Sequence, residues 1–253
     1  MPSNSTTPTF QLKNVSVSFG GFPALHDVSL SVGAGERVAL AGPSGAGKST
    51  LISLFNGMVR PSAGEVWVLG RHLARLEAGD LRHLQRQIGV IYQQFHLVNN
   101  LRVIHNVNAG HLGRWPFYKA VFSLLWPLEV DRATQALAQV GIPEKLYERT
   151  DRLSLGQQQR VAIARVLVQQ PQAILADEPI SSLDPERSRE IMDLLRHLSQ
   201  TNSKTLLASL HHVQFALSHF ERVIGLRQGR ILFDAPAGRV DNQMIESLYR
   251  LTS

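Results

Sequence analysis

The sequence predicts an α/β fold: a mostly parallel sheet with helices on both faces and a helical subdomain inserted into it. Three observations carry that prediction. Short apolar runs bounded by turn residues recur at 38–41, 88–92 and 173–176, as in strands buried on both faces. Stretches of helical spacing, such as 161–168 and 191–198, alternate with such runs. Between about 95 and 151 the strand runs vanish and helical spacing remains, as in Ala133, Leu137 and Val140.

Taken in order, residues 10–19 alternate apolar and polar positions like a half-buried strand, and Gly20-Gly21 marks a turn. Leu25, Val28, Leu30 and Val32 predict a second strand, ended by Gly33-Ala34-Gly35. The buried run at 38–41 leads through a glycine-rich loop into a helix from Lys48 to about Val59. Residues 61–64 read as a turn and 66–69 as a strand. After the helical region, strands are expected at 173–176, 205–209 and 223–226. Gln228-Gly229 predicts a hairpin into 230–234, and 242–251 reads as a short helix. Residues 1–9, rich in Ser, Thr and Pro, predict a loose tail. No internal repeat or low-complexity segment is present.

At 253 residues with 43% hydrophobic and 18% charged, the chain can bury a core and is neither a disordered tail nor a fibre. The absence of cysteine excludes disulfide staples, cysteine-zinc sites and thiol catalysis. A formal charge of +6 permits an anionic partner without choosing among nucleic acid, membrane surface and nucleotide. The most apolar stretch, 115–130, is broken by Pro116, Lys119, Pro127 and Glu129. It falls short of the roughly 20 apolar residues a membrane span needs. The N-terminus has no basic start and no apolar run, so no signal peptide is expected. The expectation is a chain kept in the cytosol, held at a membrane only through other subunits.

Gly42-Pro43-Ser44-Gly45-Ala46-Gly47-Lys48-Ser49 fits G-x-x-x-x-G-K-[ST] between a predicted strand and a predicted helix. Phosphate oxygens must be approached by several backbone N–H groups, and a Cβ at Gly45 or Gly47 would obstruct this. The helix N-terminus adds partial positive charge. Lys48 supplies a point charge at the β/γ-phosphates, and the Ser49 hydroxyl completes a Mg²⁺ shell. A chance match occurs in roughly 1% of chains this long, so nucleotide binding outweighs an incidental glycine turn.

Residues 173–178 are an apolar strand ending in Asp177 and Glu178, and ligands of open parallel sheets sit beyond such strand ends. Asp177 is then placed to face Mg²⁺, and Glu178 to polarise the attacking water. Alone, the pair would read as a solvated acidic strand end. Beside the phosphate loop, the catalytic reading is stronger.

The stretch Leu153-Ser154-Leu155-Gly156-Gln157 resembles the L-S-G-G-Q signature of ABC-type ATPases. Further motifs follow the same order: Gln93 after Ile91-Tyr92, Ser182-Leu183-Asp184, and His211 after a strand. Phe19 resembles the aromatic that stacks on adenine. The similarity runs from about Phe10 to the last helix. It implies a P-loop NTPase fold of the ABC nucleotide-binding type, with an antiparallel β subdomain and a helical subdomain beside the mostly parallel core. The implied core spans about 10–94 and 159–235, the helical subdomain about 95–158, and a C-terminal helix lies within 240–253. ATP and Mg²⁺ are the implied cofactors. Glu178, His211 and Gln93 are the implied catalytic residues, and Ser49, Gln93 and Asp177 the metal side. Phe19, Gly42 to Ser49, Thr50, Ser154, Gly156, Gln157 and Asp184 are implied to hold nucleotide. Leu155 replaces the first signature glycine. It is compatible with activity if its φ stays negative and its side chain points away from nucleotide.

The resemblance also implies a head-to-tail homodimer in which ATP lies between one chain's phosphate loop and the other's signature. It implies two membrane permease subunits, docked around Gln93 and 95–122 with Trp115, Phe117 and Tyr118 as a candidate apolar patch. A periplasmic binding protein is implied indirectly, and no nucleic acid. The site of action is then the cytoplasmic face of a bacterial inner membrane. Residues 92–98, 106–114, 209–213, 226–230 and 233–236 resemble phosphonate-type importer ATPases. The expected cargo is therefore a phosphonate, phosphite or related phosphorus oxyanion. Two alternatives share the motifs: an exporter ATPase, and a soluble ABC-type ATPase acting on nucleic acid or ribosomes.

Overall fold

The computed structural model describes residues 7–201 and 203–250. In chain order the strands and helices are β1 (Phe10–Phe19), β2 (Phe22–Val32), β3 (Arg37–Ala41), α1 (Lys48–Phe55), β4 (Ala63–Val68) and β5 (Arg71–His72). Then come α2 (Ala78–Gln85), β6 (Ile88–Ile91), α3 (Val103–Asn108), α4 (Phe117–Leu125), α5 (Val130–Gln139) and α6 (Leu155–Gln169). The chain continues with β7 (Ala173–Asp177), α7 (Pro185–Thr201), β8 (Thr205–Leu210), α8 (Val213–His219), β9 (Arg222–Arg227), β10 (Arg230–Pro236) and α9 (Asn242–Tyr249).

Two sheets form. The larger has the order β10-β9-β3-β8-β7-β6, parallel throughout except for the antiparallel edge strand β10. The smaller, β2-β1-β4-β5, is antiparallel. The parallel strands read as unbroken apolar runs because both of their faces are covered. Their alternate residues enter different cores. Val38, Leu40, Leu175, Leu207 and Leu226 join a cluster with β1, β2, β4 and α1. Ala39, Ala41, Ile174, Ala176, Leu206 and Ala208 join a cluster on the other face with α3, α5, α6, α7 and α8. The side-chain period of two thus divides one sheet between two cores.

Several predicted elements end elsewhere. Helix α1 stops at Phe55, not Val59, because the chain turns at Gly57, whose φ is +73°. Strand β4 begins at Ala63, inside the predicted turn. Helix α2 was not predicted at all: only Leu84 is buried, so its apolar signal is faint. Helix α6 runs unbroken from Leu155 to Gln169, across residue 158. The expected loose N-terminal tail is shorter at its inner end. Thr9 is 5% exposed, its N–H donates to Val32 O at 2.8 Å, and its hydroxyl lies 3.0 Å from that of Thr205. Residues 1–6 of that predicted tail, and Leu251 of the predicted last helix, lie outside the described residues.

The helical region is fixed by a buried polar network. Asn106, 3% exposed, donates to Val98 O at 3.0 Å and to the Thr150 hydroxyl at 2.9 Å. Its amide oxygen accepts the Val98 N–H at 2.8 Å. The Thr150 hydroxyl, fully buried, donates to Leu101 O at 2.9 Å. Two loops far apart in sequence are thereby locked on α3. Thr150→Val keeps the shape but strips Asn106 of one acceptor. It should cost about 1–3 kcal/mol in urea unfolding with an unchanged m-value.

Candidate functional site

The phosphate loop links β3 to α1, and its glycines answer to two different demands. Gly42, Gly45 and Gly47 all have positive φ, at 154°, 76° and 102°. At Gly42 a Cβ would stand 2.1 Å from Leu226 O, and at Gly47 it would stand 2.7 Å from Ala24 O. Those two are therefore pressed against β9 and β2. At Gly45 nothing lies within 4 Å of a Cβ position, so this part of the rim is open. The hairpin turn between β9 and β10 stitches the loop down: Gly229 N donates to Ala46 O at 3.0 Å, and its own carbonyl accepts from His26 N at 2.8 Å.

Lys48, 4% exposed, folds back inside this loop. Its Nζ donates to Gly42 O at 2.8 Å and to Pro43 O at 2.9 Å. It also stands 3.4 Å from His211 Nδ1. Burial pushes its pKa down, while the Glu178 and Asp177 carboxylates pull the other way. Strand β7 ends at Asp177, whose Oδ1 accepts from Ser49 Oγ at 3.0 Å and from Ser209 Oγ at 2.7 Å. Ser209 Oγ in turn accepts the Glu178 N–H at 2.8 Å. Glu178 sits in the left-handed region at φ +49°, a conformation that surrounding contacts must impose. Its Oε1 is hydrogen-bonded to His211 Nε2. Lys48, His211 and Glu178 thus form one continuous polar chain, next to the pair of Ser49 and Asp177.

The donor set fits a nucleotide with Mg²⁺. Ser49 Oγ and Asp177 Oδ1 are hard oxygen donors at adjoining ends of α1 and β7, as a cation shared with phosphates requires. Among the described residues no three His, Cys, Asp or Glu side chains form a metal cluster of their own. Ser49 and Asp177 therefore suit a cation whose other ligands are phosphate and water.

Gln93, in the segment after β6, lies by a different opening of about 420 Å³, lined also by Phe95, Leu155, Gln158 and Ser182. That segment is held by Arg165 of α6, whose guanidinium donates to Phe95 O and His96 O, both at 2.7 Å. Phe95 and His96 are both left-handed, at φ +57° and +48°. Arg165 thus clamps a costly turn, and burial lowers its pKa.

The signature residues begin α6. Ser154 is the N-cap and Gln157 completes a capping box. The Gln157 N–H donates to Ser154 Oγ at 3.3 Å, and Gln157 Oε1 accepts the Ser154 N–H at 3.1 Å. Ser154 and Gly156 line a small opening shared with Arg187, whereas Leu155 lines the one beside Gln93. Leu155 has helical backbone and is half exposed. Asp184 accepts the Arg187 N–H at 3.0 Å at the start of α7. That bond first, and then the Arg187 charge, lowers its pKa. The hydrogen bonds of Ser154, Gln157 and Asp184 stay within these helix caps.

Phe19, 51% exposed, pairs with the more exposed Phe22 across the Gly20-Gly21 turn. Residues Ala24 and Leu25 further along β2 touch the position of Gly47. A groove of about 720 Å³ runs between α2, β6, α6 and the segment 109–115 that follows α3, lined by Tyr92, His96, Arg114, Trp115, Arg165 and Gln169 among others.

Three residues of these constellations are not prominent in the sequence. Ser209 bridges the two acids, Arg165 clamps the turn after Gln93, and Tyr249 Oη donates to His211 O at 2.6 Å. Burial raises the Tyr249 pKa. Strand polarity could have singled out Ser209, the one hydroxyl at the end of β8. Nothing local in the sequence marks Tyr249 or Arg165.

Residues 25–181 match the family model described as ABC transporter. The chain is 48% identical over 229 residues to the phosphonates import ATP-binding protein PhnC 1 of Pseudomonas aeruginosa, covering 90% of this chain and 86% of that one. It is 43% identical over 245 residues to PhnC of Escherichia coli K12, covering 95% and 94%. Its fold matches the dimeric post-hydrolysis structure of the ATP-binding cassette MJ0796 bound to ADP and Pi. There the TM-score is 0.77 at 31% identity, over 90% of this chain and 98% of that one. The ADP conformation of the cassette MJ1267 matches at TM-score 0.81 and 26% identity, over 95% and 98%. The chain belongs to the ABC transporter family.

Proposed function

We propose that this chain is the ATP-hydrolysing subunit of an importer for phosphonate, phosphite or a related phosphorus oxyanion. The observation that carries the ATPase part is the chain Lys48–His211–Glu178 beside the Ser49–Asp177 pair, all at one end of a parallel sheet. The cargo rests on the near-full-length similarity to proteins named for phosphonate import. Residues 10–253 act as one unit, with a core of about 10–94 and 159–235 and a helical subdomain of about 95–158.

In this reading Gly42 to Ser49 and Thr50 cradle the phosphates, and Lys48 exchanges its loop carbonyls for phosphate oxygens. Ser49 and Asp177 would hold Mg²⁺, and Gln93, which lines a separate opening, is assigned to the same ion on family similarity. Bound ATP with Mg²⁺ supplies the phosphorus electrophile and the charge that offsets its oxygens. Glu178 takes the proton of the attacking water, and His211 orients the Glu178 carboxylate through their hydrogen bond. Phe19 stacks on adenine. Ser154, Gly156, Gln157 and Asp184 act on nucleotide held by a second copy, head to tail. The cap position of Ser154 and the sideways placement of Leu155 are compatible with that role.

The partners are a second copy, two permease subunits, and indirectly a periplasmic binding protein, with no nucleic acid. The permease contact is the groove around Tyr92 and Trp115. No helix among the described residues is long and apolar enough to cross a membrane. The chain then works peripherally at the cytoplasmic face of a bacterial inner membrane.

Three outcomes are expected. Glu178→Gln should retain ATP binding and lose about 10²–10⁴ in turnover; near-normal phosphate release would refute the base assignment. Tyr249→Phe frees the His211 carbonyl. It should lower kcat about two- to tenfold, the equivalent of one hydrogen bond, with KM for ATP unchanged; an equal rise in KM would show that Tyr249 serves nucleotide binding instead. In proteoliposomes containing this chain, its permease and the binding protein, phosphonate or phosphite should stimulate ATPase activity. Stimulation by an unrelated amino acid alone would overturn the cargo and leave the ATPase reading standing.

A further inference from the structure

The hairpin turn between β1 and β2 presents two phenylalanines that neither core uses. Gly20 and Gly21 both have positive φ, +55° and +87°, the backbone that a tight two-residue hairpin requires. Phe19 and Phe22 flank the turn as the last cross-strand pair. Their side chains therefore share one face, with Cβ atoms about 5 Å apart. Phe19 is 51% exposed and Phe22 80%. Nothing lies within 4 Å of a Cβ position at either glycine, so the tip projects clear of the rest of the chain. A single exposed phenylalanine is ordinary. Two side by side on a free hairpin tip form one aromatic surface.

The strands set the direction of that surface. Along β1, Val17 is buried, and Phe19, two residues on, stands on the same side. Val17 pairs with Leu25, whose Cδ2 comes within 2.8 Å of where a Cβ at Gly47 would be. The face that carries both phenylalanines is therefore the one turned to the phosphate loop. The register slips between Val17↔Leu25 and Ser18↔Pro23, which leaves Ala24 as an extra residue on β2. Its carbonyl is the group that presses on Gly47. Phe22 precedes Ala24 by two residues, about 7 Å of extended strand. A nucleotide with its phosphates in the loop carries its base a ribose and a phosphate or two away, a span of that order. We propose that Phe22 is a second base-stacking residue, and that with Phe19 it forms one aromatic platform for the base of the bound nucleotide. This rests on the reading of Gly42 to Ser49 as a nucleotide loop, and it extends the base contact beyond Phe19, which family resemblance alone marks. Residues 19–23 carry no side-chain hydrogen-bonding group. What the tip offers a ligand is ring surface, and a base has the π-face to match it.

The test is calorimetric titration of the full chain with Mg²⁺–ATP and, separately, with Mg²⁺–tripolyphosphate, which has the phosphates without a base. Phe22→Ala should bind ATP at least about fivefold more weakly than wild type, a loss comparable to that of Phe19→Ala. Its tripolyphosphate affinity should be unchanged, as should its thermal stability without nucleotide, because the side chain is exposed. Phe22→Tyr, which keeps the ring, should bind ATP like wild type. Wild-type ATP affinity in Phe22→Ala, with Phe19→Ala weakened, overturns the proposal and leaves the nucleotide loop and the Phe19 contact standing. An equal loss for ATP and tripolyphosphate also overturns it, since Phe22 would then act through the loop. Wild-type ATP affinity in both alanine variants would remove the base from the hairpin altogether. Binding of neither ligand by the wild-type chain would refute the nucleotide loop itself, and the platform with it.

Discussion

The phosphate loop has almost no freedom, and much of the site depends on that. Its two ends are clamped by contacts that tolerate no side chain, Gly42 against the Leu226 carbonyl and Gly47 against the Ala24 carbonyl. The loop is thus positioned by the seam between the two sheets, since Ala24 belongs to β2 and Leu226 to β9. The turn at Gly229 ties both to Ala46 and His26. Lys48 can then be buried because the loop's own carbonyls accept hydrogen bonds from its ammonium. A buried ammonium without such partners would be forced to give up its charge. Phosphate oxygens are stronger partners than carbonyls, so the loop holds the lysine ready for an anion.

From this anchor the polar chain extends across three strand ends. β3 leads to Lys48, β7 to Asp177 and Glu178, and β8 to Ser209 and His211. These strands are adjacent and parallel, in the order β3-β8-β7. Their carboxyl ends therefore meet on one edge of the sheet, which lets residues remote in sequence share hydrogen bonds. The left-handed Glu178 and the capped Ser154 are local departures that aim single groups. The C-terminal helix joins in through Tyr249, so the last described turn of the chain braces the backbone that carries His211.

The sequence made the strands legible because buried parallel strands are short apolar runs between turns. The phosphate loop and the acids at 177–178 were legible because their chemistry needs particular residues at fixed spacing. Other features had no local signal. Helix α2 buries only Leu84, its other leucine, Leu81, being partly exposed, so periodicity had little to detect. The end of α1 depends on the left-handed turn at Gly57, where a Cβ would strike Leu81 of α2 at 2.7 Å. Thr9 reads as part of a polar tail, yet a partner 196 positions away buries it. Arg165 and Tyr249 act through backbone carbonyls, which leave no trace in the identity of the residues they hold. Helix α4 divides the expected apolar patch: Phe117 and Tyr118 are exposed on its surface, whereas Trp115 before it lines the groove.

The most direct measurement of the central claim is calorimetric titration of ATP with Mg²⁺ into the wild-type chain and into Lys48→Ala. The variant removes the one cation that the loop's geometry is built to hold, while leaving Gly42, Gly45 and Gly47 in place. The account predicts that ATP affinity falls by at least about tenfold, the weight of one charge-assisted contact, with thermal stability in the absence of ATP little reduced. Unchanged ATP affinity in a folded Lys48→Ala chain would contradict it, and would mean that nucleotide is held elsewhere.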